Sequence, residues 1–144
     1  MNMQPAILVP IDGSTAALRA MSLALAQVKR NPEARLHLLN VQSPALHPWP
    51  GRLVPPDVID EELRRRGQEL LEKARGMAEG SGVTPRLHVR IGHPAEEIVS
   101  CATEEHCEQI VMGTRGMGAA AALALGSVAG KVVHLARMPV TLVK

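Results

Sequence analysis

Five short apolar stretches, separated by segments with helical spacing, constrain what this 144-residue chain can fold into. The first, from Ala6 to Ile11, is apolar throughout, which is typical of a strand buried on both faces. Strands that alternate with helices form a parallel sheet with right-handed crossovers. We therefore predict an α/β protein with an open five-stranded parallel sheet and helices on both faces, in a single domain spanning residues 1–144.

Four segments have apolar residues at helical spacing and are predicted to be helices. They span residues 16–29, 57–78, 95–106 and 128–136. Ser14 or Thr15 is expected to cap the first helix and Ser127 the last, because a hydroxyl can accept from the first free N–H groups. The apolar face of the second helix is expected to contain Ile59, Leu63, Leu70, Ala74 and Met77. In the third helix Ile98, Ala102 and Thr103 are expected to face inward, and in the last helix Val128, Val132 and Leu135 share a face.

Residues 109–128 carry the pattern that bears most directly on function. A short apolar strand ends at Gly113, Gly116 follows it, and Gly126-Ser127 opens the last helix. Glycine lets backbone N–H groups approach an anion without an intervening side chain. A helix N-terminus adds unpaired N–H donors and about half a positive elementary charge. The segment therefore predicts phosphate binding, and a plain tight turn is the alternative.

The charges of this segment also favour an anion. After Glu108 the sequence contains no further Asp or Glu, whereas Arg115 and Lys131 are positive. The segment is not a Walker A loop, because no Gly-Lys-Ser/Thr follows a four-residue gap. Residues 116–121 fit the pattern G-x-G-x-x-A, but the acidic residue that a dinucleotide site needs about 20 positions further on is missing.

Asp12 follows the first apolar strand, as Gly113 follows the fourth. The carboxyl ends of parallel strands meet at one edge of the sheet, where ligands bind, so the two residues are expected to lie close together. The Asp12 carboxylate could hydrogen-bond a ligand's base or ribose, or hold a metal ion bound to phosphates. The alternative is a structural role, as an Asx turn or a cap beside Ser14.

The spacing Gly113-x2-Gly116-x9-Gly126-Ser127 resembles the nucleotide-binding signature of the universal stress protein family, in its ATP-binding branch. The resemblance covers nearly the whole chain. Residues 7–14 look like the family's first strand and turn, and residues 139–143 look like its last strand. The resemblance implies a Rossmann-like sheet of the adenine nucleotide alpha hydrolase type.

The resemblance further implies a bound adenine nucleotide, either ATP or AMP or another of this class. Mg²⁺ could accompany its phosphates, and Asp12 could hold such a phosphate-bound ion on the strength of its carboxylate alone. The family's aspartate at this position lines the adenine pocket, and Val41 would contact the base. Arg115 lies inside the glycine loop, where it could neutralise a phosphate or be a solvated loop charge. The glycines and Ser127 would contact the phosphates. The nucleotide-binding residues implied in this way are Pro10, Ile11, Asp12, Val41, Met112, Gly113, Arg115, Gly116, Gly126, Ser127 and Val128.

Two strands are expected near the edges of the sheet. Residues 86–91 alternate polar and apolar side chains, which is typical of a strand with one polar face. The last strand is short and apolar, and an exposed edge of this kind invites pairing with a second copy. We therefore predict a homodimer, in agreement with the family resemblance. Its interface residues would be Val140, Thr141, Leu142 and Val143.

Composition argues against several other partners. The formal net charge is only +2, and the chain has no Phe and no Tyr, so neither a basic patch nor an aromatic platform for nucleic acid is evident. No apolar run approaches the roughly 20 residues of a membrane helix. Cys101 and Cys107 are expected to be buried thiols, and two cysteines without a signal peptide favour a cytoplasmic protein.

The leading hypothesis is a cytoplasmic universal stress protein that binds ATP in a regulatory or stress-response role, with little or no turnover. One alternative is a slow ATP hydrolase, for which His93 is the candidate weak base. Another is a ligand-free dimeric interaction module. We also expect Gly113→Val or Gly126→Val to abolish nucleotide binding while leaving the fold intact.

Overall fold

The computed structural model describes residues 4–44, 54–115 and 125–144. Within these ranges five strands alternate with four helices. The strands are β1 (Ala6–Pro10), β2 (Arg35–Gln42), β3 (Arg86–Ile91), β4 (Gln109–Gly113) and β5 (Val140–Val143). The helices are α1 (Thr15–Arg30), α2 (Pro56–Gly80), α3 (Pro94–Glu104) and α4 (Ser127–Leu135).

All neighbouring strands are parallel, in the order β3-β2-β1-β4-β5. This confirms the predicted open parallel sheet and places the third and fifth strands at its edges. The buried apolar residues form two clusters, one on each face of the sheet. Helices α1 and α2 contribute to the first cluster, and α3 and α4 contribute to the second. Ile7 and Val9 belong to the first cluster and Leu8 to the second, as a strand apolar on both faces requires.

The two predicted helix caps have different outcomes. Ser14 caps α1, because its Oγ accepts a hydrogen bond from the Ala17 N–H at 3.1 Å. Ser127 is not a cap: it is the first residue of α4, and the extended residue before it is Gly126, at φ −72° and ψ 162°. A glycine offers no side chain to the first turn, so α4 begins without a side-chain cap.

The predicted helix faces are confirmed in part. Leu63, Ala74, Ile98, Ala102 and Val132 are buried, whereas other members of these faces are exposed. Met77 is 41% exposed, and Leu135 is 37% exposed. Thr103 also faces outward, and its hydroxyl donates to the Val99 carbonyl of the previous turn at 2.9 Å. In α2 the contact with the sheet centres on Gly67, where an added Cβ would lie 2.7 Å from Val89 Cγ1. Because a glycine marks this closest approach, a pattern of apolar side chains does not reveal it, and the predicted face combined the buried Leu63 and Ala74 with the exposed Met77.

The other expectations about burial agree with the structure. Cys101 and Cys107 are free thiols, and both are buried. In the described ranges no helix combines the length and the apolar character needed to cross a bilayer.

Candidate functional site

A cavity of about 590 Å³ opens at the carboxyl edge of the sheet, within the usual size range of small-molecule sites. It lies where β1 separates its two parallel neighbours, β2 and β4, which is the topological switch point of an open α/β sheet. The predicted nucleotide-binding residues that line it are Pro10, Ile11, Asp12, Val41, Met112, Gly113, Arg115, Gly126, Ser127 and Val128. The remaining one, Gly116, lies outside the described residues.

Asp12 takes part in the turn that joins β1 to α1. Its Oδ1 accepts a hydrogen bond from the Ser14 N–H at 2.9 Å, and Gly13 adopts φ +86°, a conformation that favours glycine. This is the Asx turn considered as the structural alternative. The same aspartate is exposed and lines the cavity, so its turn contact fixes the position of the carboxylate without removing it from the site.

A buried amide pair, which the sequence reasoning missed, supports the cavity wall at the end of β2. Asn40 Nδ2 donates to the Ile11 carbonyl at 2.7 Å, and because a carbonyl can only accept, this bond fixes the Asn40 amide orientation. Asn40 Oδ1 must then accept, and Gln42 Nε2 donates to it at 2.7 Å. The Gln42 Oε1 is buried and has no hydrogen-bond partner among the described residues. The sequence did contain a sign of this pair, because two amide residues two positions apart near the end of a strand lie on the same face of the sheet.

One hydrogen bond joins the two ends of the segment from Gly113 to Gly126. The Gly126 N–H donates to the Thr114 carbonyl at 2.7 Å, and the Thr114 N–H donates to the Val143 carbonyl at 2.9 Å. These bonds hold the start of α4 against the end of β4 and against β5. The first and last parts of the glycine pattern therefore meet at one point, although 12 positions separate Thr114 from Gly126.

The N-terminus of α4 forms one wall of the cavity. Ser127, Val128 and Ala129 all line it, and the first hydrogen bond of the helix runs from the Gly130 N–H to the Gly126 carbonyl at 2.9 Å. Among the residues that the structure describes, none accepts from the N–H groups of these three lining residues, and none caps the helix with its side chain. Such an end carries about half a positive elementary charge and suits an anion.

The described part of the cavity lining contains one positive and one negative side chain. Arg115 supplies a positive charge, and among the described lining residues Asp12 is the single carboxylate. His93 is the exposed residue that precedes α3 and does not belong to the described lining, although its neighbour Pro94 does. His134 is exposed on α4.

An open parallel sheet with a cavity at its switch point, walled by a helix N-terminus, defines an α/β protein of the Rossmann-like class. The model of the universal stress protein family matches residues 3–144, so the chain belongs to that family. The chain is 41% identical over 140 residues to a universal stress protein of Thermus aquaticus, named after its position in the QAH/OAS sulfhydrylase 3′ region, covering 96% of this chain and 97% of that one.

Solved structures share the fold. Universal stress protein UspA from Lactobacillus plantarum superposes with a TM-score of 0.82 over 100% of both chains, at 22% identity. A universal stress protein from Archaeoglobus fulgidus in complex with dAMP superposes with a TM-score of 0.66 over 100% of both chains, at 24% identity. At these identities the two structures bear on the fold alone.

Proposed function

We propose that the cavity binds ATP, with the phosphates at the N-terminus of α4 and the adenine between the ends of β1 and β2. The observation that carries the proposal is the uncapped helix end, where Ser127, Val128 and Ala129 line the cavity beside Arg115. Backbone N–H groups at a helix start, with a positive side chain nearby, are a recurring phosphate site. The G-x2-G-x9-G-S spacing of the segment supports the same assignment.

The apolar part of the cavity lining suits a purine. It includes Ile11, Val41 and Met112, which offer apolar contact to the faces of a base. Asp12 adds a hydrogen-bond acceptor at the rim, which fits a ligand that presents donors, such as an exocyclic amine or a ribose hydroxyl. A protein of this fold, the universal stress protein from A. fulgidus, has been solved in complex with dAMP. The ligand proposed for this chain is nevertheless argued from its own cavity.

We propose a binding role rather than a catalytic one. Rapid hydrolysis needs a group that orients or deprotonates the attacking water, usually together with a metal ion. In the described lining Asp12 is the single carboxylate and no histidine occurs, and Asp12 is assigned to the base end. Held nucleotide would then act as a regulatory signal in a stress response, and Mg²⁺ would enter with the phosphates.

The first test asks whether the protein binds a nucleotide and which one. Freshly purified protein is denatured, and the released small molecules are identified by mass spectrometry, alongside calorimetry with ATP and AMP. We expect adenine nucleotide in the released fraction and saturable ATP binding. If neither is found, the nucleotide proposal fails and the ligand-free interaction module becomes the better description.

A second test places the phosphates on the start of α4. Proline is favoured at the first helical position, and Gly126 has the extended conformation that a residue before proline requires, so Ser127→Pro removes one N–H without opposing the helix. Ser127→Ala removes only the hydroxyl and is the matched control. We expect Ser127→Pro to weaken ATP binding by at least roughly tenfold more than Ser127→Ala, since a charge-assisted hydrogen bond is lost. Equal affinities in two folded variants would contradict the placement.

A further inference from the structure

A second polar cluster lies away from the cavity, at the β3 side of the sheet. It consists of His37 on β2, His88 on β3 and Glu105, the residue that ends α3. One ligand atom from each residue lies within 4.8 Å of the other two. The strand register pairs Leu39 with His88, so His37 and His88 are diagonal neighbours on the same face of the sheet. His37 is only 2% exposed.

The two imidazoles meet edge to edge. His37 Nδ1 lies 2.9 Å from His88 Nε2, the ring planes differ by 11°, and the ring centroids are 5.2 Å apart. A centroid separation this much larger than the nitrogen separation means that the rings lie almost in line rather than face to face. One nitrogen therefore donates its hydrogen to the lone pair of the other. Burial lowers the pKa of both rings, which favours the neutral form.

Glu105 is held beside the histidines by the turn that ends α3. The His106 backbone adopts the left-handed φ of 54°, and the Cys107 N–H donates to the Ala102 carbonyl at 2.8 Å, which closes a Schellman-type end. A carboxylate here faces the negative end of the helix dipole, and the last turn of α3 contains no basic residue. Within the described ranges no hydrogen bond or ion pair engages this carboxylate.

We propose that His37, His88 and Glu105 form a binding site for a transition-metal ion of the Zn²⁺ class. Two imidazole nitrogens and one carboxylate oxygen are a ligand set that Zn²⁺ uses, with water in the fourth position. The ion takes the place of the hydrogen between the rings, so each neutral ring must carry its single ring hydrogen on the nitrogen that does not bind: His37 on Nε2 and His88 on Nδ1. The nitrogens must also separate from 2.9 Å to about 3.3 Å, and the rings must turn about their Cβ–Cγ bonds until both lone pairs converge.

The surrounding charges decide which ions the site accepts. Arg35, Arg86 and Arg90 act on the pKa values of the two histidines and oppose any cation there. Arg90 is paired with the carboxylates of Glu97 and Glu104, which offsets its charge. Mg²⁺ and Ca²⁺ need several oxygen ligands and are excluded by this set. Only an ion that binds imidazole strongly overcomes the arginines, so the site selects Zn²⁺, Cu²⁺ or Ni²⁺ over hard cations.

The test uses metal-free full-length protein without added nucleotide. Zn²⁺ is titrated by calorimetry, and Co²⁺ by its visible absorption, which reports tetrahedral geometry. We expect one ion per chain at roughly micromolar affinity or tighter. His88→Gln and Glu105→Gln change partly exposed residues, and each should weaken binding by at least about 100-fold, since even residues behind a ligand contribute 10- to 100-fold.

The matched control is His106→Asn. It removes an exposed histidine next to Glu105, and asparagine tolerates the left-handed backbone of that position. We expect its Zn²⁺ affinity to equal that of the wild type, with circular dichroism confirming the fold of every variant. The proposal is overturned if the wild type binds no Zn²⁺ at 100 µM. It is equally overturned if His88→Gln and Glu105→Gln, both folded, retain wild-type affinity.

Discussion

A Cβ atom added to Gly113 would lie 2.7 Å from the Cβ of Ala16 and 3.0 Å from its carbonyl carbon. The start of α1 therefore rests directly on the end of β4. Gly113 is a packing requirement of the fold, because only a residue without a side chain allows this approach. This contact contradicts the expectation that Gly113→Val would leave the fold undisturbed, and the expected loss of nucleotide binding stays a prediction.

We predict that Gly113→Val and Gly113→Ala both destabilise the protein. The new atoms meet the backbone of α1, which cannot turn aside as a flexible side chain would, and such overpacking costs about 1–3 kcal/mol. Urea denaturation followed by circular dichroism measures the loss. Gly76→Ala is the matched control, because an added Cβ there meets nothing within 4 Å, and it should stabilise α2 by about 0.5–1 kcal/mol. Unchanged stability in both Gly113 variants would contradict the packing role.

The parts of the site that sequence predicted are those that depend on local order along the chain. Asp12 and Gly113 each follow an apolar strand, and parallel topology alone puts such residues at one edge of the sheet; both line the cavity. The amide pair Asn40 and Gln42 was missed, because its role depends on the Ile11 carbonyl, which directly follows β1 and is remote in sequence. The contact between His37 and His88 likewise needs the strand register, which composition does not reveal.

Helix faces were predicted less well than strands for a related reason. A strand buried on both faces needs only a run of apolar residues, as in β1. A helix face depends on which residues approach the sheet most closely, and in α2 this residue is Gly67, which carries no apolar side chain. Leu71 and Ala78 are buried with it, whereas Met77 is exposed.

The two thiols are predicted to be unreactive in the folded protein. Burial raises the pKa of Cys101 to about 11 and that of Cys107 to about 12, so the reactive thiolate is scarce at pH 7.5. We expect a disulfide reagent to modify both at least 100-fold more slowly in native protein than in denaturant. Ser100→Cys adds an exposed thiol on α3 and is the positive control. Rapid labelling of two native thiols would show that α3 and its C-terminal turn open readily.

We predict that the chain dimerises through the free edge of β5. The Ile110 N–H donates to the Pro139 carbonyl and the Thr114 N–H to the Val143 carbonyl, so the alternate residues Val140 and Leu142 direct their backbone groups outward. Leu142→Pro removes one outward N–H and should dissociate the dimer, whereas Leu142→Ala retains that N–H and should not. Sedimentation velocity at micromolar concentration separates the two. A monomeric wild type would disprove the edge interface.

The last prediction concerns turnover, and it follows from the distribution of carboxylates. If ATP binds with its phosphates at the N-terminus of α4, Arg115 and backbone N–H groups hydrogen-bond to the γ-phosphate. None of these groups can accept a proton from the attacking water. Asp12 lines the cavity, but its Oδ1 already accepts the Ser14 N–H, which anchors it in the β1–α1 turn. We therefore expect ATP to be held with hydrolysis slow or absent.

Single-turnover hydrolysis with Mg²⁺ measures this directly, in the wild type and in Asp12→Ala and His93→Ala. We expect all three to remain below about 1 per second, the low end of ordinary enzyme turnover. Asp12→Ala should lose affinity for ATP rather than rate, because the assigned contact is with the base and not with the reacting phosphate. A faster wild-type rate that falls in His93→Ala would identify His93 as a general base and the protein as an ATPase, since the exposed histidine before α3 would then have to reach the γ-phosphate.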